Sequence, residues 1–229
     1  MPRATRYLVE GFTYHLTHRC HDKRFLLRFS QERERYREWL RIGAKRYQVP
    51  VFGYCLTSNH VHVVAHADSR EGIGLMMGLA SGVVAKQLNE RKGHAGSVWE
   101  HPYQCTMVQD GRHLLNCLRY VDLNMFRTGA VPHPQAWRWC GYDELTGQRQ
   151  RYRILDIERL LHCTNIGSAA DLARHHAEVV QDAVQQLKRE RESRWTEAVA
   201  VGDHEFVRRA ASEFKHRRTF EEREETLPD

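Results

Sequence analysis

The segment VFGYCLTSNHVHVVAH, residues 51–66, decides the fold of this chain of 229 residues. Two runs rich in β-branched and aromatic residues, 51–56 and 60–66, flank the trio TSN at 57–59, whose residue types favour turns. This pattern predicts two neighbouring antiparallel strands joined by a tight turn. The rest of the fold is built outward from this hairpin.

Elements on both sides of the hairpin complete a split βαβ pattern. Before it, the sequence predicts a strand over residues 11–18 and a helix that begins at Ser30 and ends before Pro50. After it, the sequence predicts a helix over 71–91, a strand over 103–108 and a helix over 111–125. This order is typical of an α+β fold with a ferredoxin-like antiparallel sheet and helices on one face.

The composition of the chain changes after residue 150. We therefore predict a first domain over residues 1–148 and a helical C-terminal extension over 149–229. Within the extension, a capping box at 168–171 predicts the start of a long helix, and a short helix is predicted over 205–214.

The charge and the cysteines limit the class of protein. The net charge of +6 and the pI of about 9.1 favour an anionic partner, with nucleic acid as the first candidate. The 6 cysteines are scattered without a Cys-x-x-Cys pair, which argues against a zinc ribbon and a disulfide framework. No apolar run is long enough to span a bilayer, and no secretion signal is evident. A cytoplasmic protein with reduced thiols is expected.

The second strand of the hairpin carries the first chemical motif, His60-Val61-His62. Side chains alternate across a strand, so His60 and His62 are expected on the same face. Two imidazoles at this spacing can share one metal ion if a third ligand comes from elsewhere. On this motif alone, two ordinary hydrogen-bonded histidines remain the alternative.

The helix after the last strand carries the second motif, LLNCLRYVDLNMFR, residues 114–127. One face of this helix is apolar, and the opposite face carries the polar row His113, Asn116, Tyr120, Asn124 and Arg127. Tyr120 and Asn124 are one turn apart, so their polar groups are expected to point to the same place. The alternative is a surface tyrosine without a chemical role.

Four blocks of sequence together carry a resemblance to a known family. They are SNHVHVV (58–64), GSVWEHPYQC (96–105), LRYVDLNMFRTGAV (118–131) and WRWCGYDEL (137–145). Over roughly residues 7–147 the chain resembles the single-tyrosine HUH transposases, specifically their REP-associated tyrosine transposase branch. The resemblance implies that His60, His62 and Asn124 bind a divalent metal, Mg²⁺ or Mn²⁺, and that Tyr120 attacks DNA.

The predicted function is that of a metal-dependent DNA transposase or endonuclease. It would cleave and rejoin single-stranded DNA beside a hairpin or palindromic repeat through a 5′-phosphotyrosine intermediate. The main alternative is a regulator that binds nucleic acid on the same fold without cutting it. Two further alternatives are a hydrolase that acts through activated water, with Tyr120 structural, and a helical interaction protein whose extension is the functional part.

Basic residues in the first loop are candidates for DNA binding. They are Arg19, Lys23, Arg24 and Arg28, with Phe25 and Phe29 available for base stacking. Arg127, on the face of Tyr120, is expected to contact the scissile strand. The nearby set His15, His18, Cys20 and His21 has no matching second pair of ligands, so we predict no zinc site there.

Overall fold

A computed structural model describes residues 8–93, 95–100 and 102–213 of the chain. The strands are β1 (Thr13–Arg19), β2 (Val51–Leu56), β3 (His60–His66), β4 (Gln104–Val108) and β5 (Ala200–Val201). The helices are α1 (Ser30–Arg46), α2 (Gly72–Lys92), α3 (Arg112–Asp122), α4 (Asn124–Arg127), α5 (Tyr142–Leu145), α6 (Ile157–Thr164), α7 (Ala169–Gln185), α8 (Arg194–Glu197) and α9 (His204–Glu213). Short 3₁₀ turns lie at His21–Lys23 and Pro134–Ala136.

The strands form one sheet in the order β2-β3-β1-β4-β5. The first four are antiparallel neighbours, which is the predicted ferredoxin-like arrangement. The fifth strand pairs parallel with β4 and comes from the C-terminal part of the chain, which was expected to be helical. A strand of two residues has no alternation of polarity that a sequence pattern could reveal.

The hairpin has the bounds that the sequence predicts. Its turn is held by the side chain of Thr57, whose Oγ1 accepts the backbone N–H groups of Asn59 and His60 at 3.3 and 3.0 Å. The same Oγ1 lies 3.0 Å from Nδ1 of His60. The turn therefore fixes the start of β3 and the first histidine on it.

The helices α1 and α2 cover one face of the sheet. On that face His18 of β1 stacks on Trp99 with ring centroids 4.2 Å apart, and the Trp99 indole donates to the carbonyl of Ser81 in α2. α1 and α2 pack closely, because a Cβ placed on Gly43 would lie 3.1 Å from Cγ of Met76. The predicted placement of helices on one face holds for these two helices.

The opposite face is covered by α3 and by the C-terminal part of the chain. α3 lies so close to β2 that a Cβ on Gly53 would be only 2.6 Å from Cδ2 of Leu118. The sequence predicts one helix over 111–125, but the structure ends α3 at Asp122 and begins α4 at Asn124. Leu123 between them has a ψ of −1°, well away from the helical value of about −42°.

The C-terminal part is in contact with the first domain across the predicted boundary at 148/149. In addition to β5, α7 places His176 with its Nε2 2.8 Å from a carboxylate oxygen of Asp122 in α3. α7 begins as predicted, since Oγ of its N-cap Ser168 accepts the N–H of Asp171. The last predicted helix reaches residue 214, which lies outside the described residues, and α9 covers His204–Glu213. Over the described residues, no helix combines the length and the apolar character needed to cross a membrane.

Candidate active site

The two histidines of the HVH motif lie on the same face of β3, with ring centroids 4.8 Å apart. Nδ1 of His60 lies 2.7 Å from Oδ1 of Asn59. An amide oxygen can only accept, so His60 carries its proton on Nδ1 and keeps a lone pair on Nε2. Burial lowers the pKa of His60 to about 4 and that of His62 well below its usual value. Both imidazoles are therefore neutral at physiological pH, as metal ligands must be.

Asn124 meets His62 from the other side of the site. Its side-chain Nδ2 lies 2.9 Å from Nε2 of His62, while its Oδ1 is buried and accepts no hydrogen bond from the described residues. A buried amide oxygen without a donor is costly, and a cation would satisfy it. Adjacent ligands on an octahedral ion with bonds of about 2.1 Å lie about 3.0 Å apart, which is close to the observed spacing. Rotation of the amide by half a turn would present the oxygen, so His60, His62 and Asn124 fit a divalent metal.

Tyr120 lies beside these residues and is buried, with 3% of its surface exposed. Its ring centroid is 6.1 Å from that of His62 and 6.1 Å from that of Trp195. The polar row of the helix is therefore not on the outside of the molecule, because the C-terminal part of the chain covers it. Burial raises the pKa of Tyr120 above its usual value of about 10, and Arg127 partly opposes this shift.

The guanidinium of Arg127, seven residues further along the chain, stacks on the ring of Tyr120. Its Cζ lies 4.0 Å from the centroid of the Tyr120 ring, and its Nη1 donates to the carbonyl of Tyr120 at 2.8 Å. Its Nη2 is buried and has no partner among the described residues. The guanidinium thus offers positive charge and a free donor next to the tyrosine.

The predicted DNA-binding residues of the first loop lie near this site. Arg19 is exposed at the end of β1 and is the register partner of His60. The loop that follows is tied to the hairpin turn, since Asn59 Nδ2 donates to the carbonyl of Lys23 at 3.1 Å. Lys23, Arg24 and Arg28 are exposed on that loop. Phe25 and Phe29 are exposed as well, at 64% and 52% of their surface.

A second place where an ion could bind lies away from the HVH motif. In the described part of the chain it is the one group of three His, Cys, Asp or Glu side chains with ligand atoms close together. It comprises His66, Asp110 and Cys163, whose ligand atoms all lie within 4.8 Å of one another. Thr13 Oγ1 sits between them, 3.1 Å from Nδ1 of His66 and 2.9 Å from Oδ1 of Asp110. Among the described residues, the set His15, His18, Cys20 and His21 does not form such a group.

The sequence interpretation missed His15 and Trp195 as parts of the site. Nε2 of His15 lies 2.9 Å from Nδ1 of His62, and Nδ1 of His15 lies 2.6 Å from the carbonyl oxygen of Trp195. The signal for His15 was the polar alternation Thr13, His15, Thr17 along β1, which marks the face that looks toward His62. Trp195 had no such signal, because its contribution is a backbone carbonyl.

Comparisons with known proteins agree with this arrangement. Residues 8–124, just over half of the chain, match the family described as IS200-like transposases, so the chain belongs to that family. A solved structure of a REP-associated tyrosine transposase bound to a REP hairpin is 13% identical, with a TM-score of 0.51 over 65% of this chain and 87% of that one. This likeness supports the fold.

A second solved structure, of a candidate transposase from Deinococcus radiodurans, is 15% identical with a TM-score of 0.36 over 57% of this chain and 98% of that one. No curated protein matches the chain.

Proposed function

We propose that this transposase cleaves and rejoins single-stranded DNA beside a hairpin. Tyr120 would be the nucleophile and His60, His62 and Asn124 would hold Mg²⁺ or Mn²⁺. The observation that carries the proposal is the meeting of Asn124, His62 and Tyr120 at one buried point, although Asn124 and His62 are 62 residues apart in sequence. A protein that only binds DNA has no need for a buried asparagine with an unpaired amide oxygen beside the neutral imidazole of His62.

The chemistry follows from the residues of the site. The Tyr120 oxygen would attack the scissile phosphorus, the bond from phosphorus to the 3′ oxygen would break, and the phenolic proton would pass to solvent. The products are a 5′-phosphotyrosine and a free 3′-hydroxyl, and attack by a 3′-hydroxyl reverses the step. A bound divalent ion would polarise the phosphate as a Lewis acid. Arg127 would stabilise both the phenolate and the charge on the phosphate.

The proposed DNA partner rests on the charges around the site. Arg19 is the register partner of His60, and the loop that follows it is bonded to the hairpin turn and carries exposed cations and two exposed aromatic rings. Such a combination suits a single strand, whose phosphates meet cations while its bases stack on rings. The related protein of known structure is bound to a REP hairpin, which makes a hairpin with a flanking single strand the first substrate to use.

The decisive experiment is a denaturing-gel assay for a covalent adduct between protein and DNA. The full chain is incubated with labelled single-stranded hairpin oligonucleotides from a pool of varied flanking sequence, in Mn²⁺ or in EDTA. We expect an adduct in Mn²⁺ only, and we expect its loss in Tyr120→Phe and in His62→Ala.

Tyr152→Phe is the matched control, because Tyr152 is exposed and lies outside the site. It should form the adduct as the wild type does. An adduct that still forms in Tyr120→Phe would show that another residue is the nucleophile. Cleavage without any adduct would favour a hydrolase that uses activated water, and tight binding of the pool without cleavage would favour a regulator.

A further inference from the structure

A chain of hydrogen bonds runs from the C-terminal part of the molecule to the proposed metal site. It begins at the carbonyl of Trp195, passes through both ring nitrogens of His15, reaches Nδ1 of His62 and ends at the Asn124 amide. The contacts measure 2.6, 2.9 and 2.9 Å. The rings of His15 and His62 are also stacked, with centroids 5.0 Å apart and planes 14° apart.

The direction of each hydrogen bond in this chain follows from its first member. A carbonyl oxygen only accepts, so Nδ1 of His15 donates to Trp195. His15 is 1% exposed and makes no ion pair with a carboxylate of the described residues, so the neutral ring is favoured and its Nε2 carries a lone pair. Nδ1 of His62 must then donate to His15, which leaves the lone pair of His62 on Nε2, facing Asn124.

We infer that His15, held by the backbone carbonyl of Trp195, is a positioning residue that keeps His62 in the tautomer able to bind metal through Nε2. The inference rests on the proposed function, since it assigns His62 as a ligand. It also makes the C-terminal extension a part of the active site, because the first group in this series of hydrogen bonds is the carbonyl of Trp195 in α8. Residues that hold a metal-binding histidine in one tautomer raise its affinity for the ion.

His15 is the stronger of two neighbours of Nδ1 of His62. The other is Thr17, whose Oγ1 lies 3.5 Å from the same atom, at the outer limit of a hydrogen bond. A hydroxyl can donate as well as accept, so Thr17 does not select a tautomer. Thr17 therefore offers a matched control on the same strand and the same face.

The first test measures Mn²⁺ binding to the full chain by the loss of the free-ion EPR signal, without DNA and without a turnover. His15→Phe keeps a ring in the stack but removes both hydrogen bonds, and it should weaken Mn²⁺ binding by about 10- to 100-fold. His15→Gln can donate at one end and accept at the other, and it should restore affinity to within a few-fold of the wild type. Thr17→Val should also stay near the wild type.

A stability control separates positioning from general damage. Leu172 is fully buried in α7 and belongs to neither of the strands that carry His15 and His62, so Leu172→Ala should lower the melting temperature while leaving Mn²⁺ affinity unchanged. The second test reads the tautomer directly from the ¹⁵N shifts of labelled imidazoles in metal-free protein. We expect Nδ1–H at His62 in the wild type and in His15→Gln, and Nε2–H in folded His15→Phe, where the Asn124 oxygen can turn to accept it.

Three outcomes decide the matter. Unchanged Mn²⁺ affinity and an unchanged His62 tautomer in His15→Phe would overturn the positioning role alone, provided that His62→Ala abolishes binding. Equal losses in His15→Gln and His15→Phe would show that the ring matters for packing and not for its hydrogen bonds, which also overturns the role. Wild-type Mn²⁺ binding that survives His60→Ala and His62→Ala would instead refute the proposed metal site and the inference with it.

Discussion

The phenol of Tyr120 is buried, and the groups around it determine how readily it loses its proton to become a nucleophile. Burial raises its pKa, and the largest opposing effect is the guanidinium of Arg127 over its ring. The attacking species is the phenolate, so every group that stabilises negative charge on this oxygen also raises the fraction of reactive enzyme at neutral pH. Arg127 is thus expected to affect the pH dependence and not merely the binding of DNA.

Replacement of Arg127 by Gln should move the pH–rate profile of adduct formation to higher pH. Loss of the cation raises the pKa of Tyr120, so less phenolate is present at a given pH below that pKa. Because a nearby opposite charge favours the ionised form, we expect its loss to lower the rate at neutral pH by about tenfold. Arg127→Lys keeps the charge and should keep the profile near that of the wild type. Single-turnover rates at saturating hairpin DNA, from pH 6 to 10, check this.

A fall in rate by the same factor at every pH in Arg127→Gln would contradict this argument. It would mean that Arg127 acts on the DNA phosphate alone and leaves the proton on Tyr120 unaffected.

Asn124 should set the metal requirement of the reaction. Asn124→Asp puts a carboxylate oxygen where Nδ2 of Asn124 faces Nε2 of His62 and adds a negative charge, whereas Asn124→Ala removes the proposed third ligand. We expect Asn124→Ala to raise the Mn²⁺ concentration for half-maximal adduct by about tenfold or more, and Asn124→Asp to leave it equal or lower. A titration of adduct yield with Mn²⁺ at fixed DNA measures both, and equal curves for all proteins would remove Asn124 from the site.

For single residues, the sequence predicts a place in the site only where a local pattern of spacing along a strand or a helix reveals it. His60 and His62 follow from strand alternation, and Tyr120 and Asn124 follow from helical spacing. His15 could not be assigned a partner, because its position opposite His62 depends on the pairing of β1 with β3. The roles proposed for these residues stay predictions until the adduct assay is done.

Among the elements, α3 matters most, because it carries Tyr120 and rests on β2 at a glycine. Leu118 is buried, and its Cδ2 occupies the space that a side chain at position 53 would need. The bulge in the pairing of β2 with β3 lies at the same place, between Val51 and Gly53. The distance from α3 to the sheet, and with it the depth of Tyr120, is therefore set at Gly53.

Gly53→Ala should lower the free energy of unfolding by about 1–3 kcal/mol, since the new methyl group overpacks the contact with Leu118. The double variant with Leu118→Ala should lose less than the sum of the single losses, because the smaller side chain makes room for the methyl group. Gly78→Ala is the control, because Gly78 lies on the exposed side of α2 and its Cβ would meet nothing within 4 Å, so it should stabilise by about 0.5–1 kcal/mol. Urea unfolding of the four proteins and the wild type gives all these values.

Strict additivity of Gly53→Ala and Leu118→Ala would show that α3 does not rest on this contact. Adduct formation gives an independent reading, since a displaced α3 should slow it in Gly53→Ala and leave it unchanged in Gly78→Ala.

The elements that the sequence predicts well are the long ones with a clear period. The hairpin strands β2 and β3 and the start of α1 are found at the predicted residues. The break at Leu123 and the strand β5 were not predicted. Leu123 is an ordinary helix former, and β5 exists only because β4 offers a free edge beside it. Both features depend on tertiary packing that a local pattern does not contain.

At the scale of the whole molecule, the sequence predicts a domain over residues 1–148 and a separate extension over 149–229. Two buried carboxylates of the predicted domain have partners in the extension, and these contacts allow the division to be tested. Asp122 is 2% exposed and its partner is His176 of α7. Glu144 is equally buried and accepts the N–H groups of Ile154 and Leu155 at 2.6 and 3.0 Å. Both acids lie before residue 148, and these partners lie after it.

A chain that ends at residue 148 should therefore not fold as a stable domain. A buried carboxylate that loses its hydrogen-bond partner costs about 1–3 kcal/mol or more, and the whole stability of a domain is about 5–15 kcal/mol. Glu144 would keep Arg37 as a partner, but it would lose Arg149 together with the N–H groups of Ile154 and Leu155. The shortened chain would also lose the covering of α3 by Trp195 and α7. We expect the full chain to unfold in one calorimetric transition and the 1–148 chain to show none, whereas a cooperative transition in the 1–148 chain would make the first domain independent of the extension.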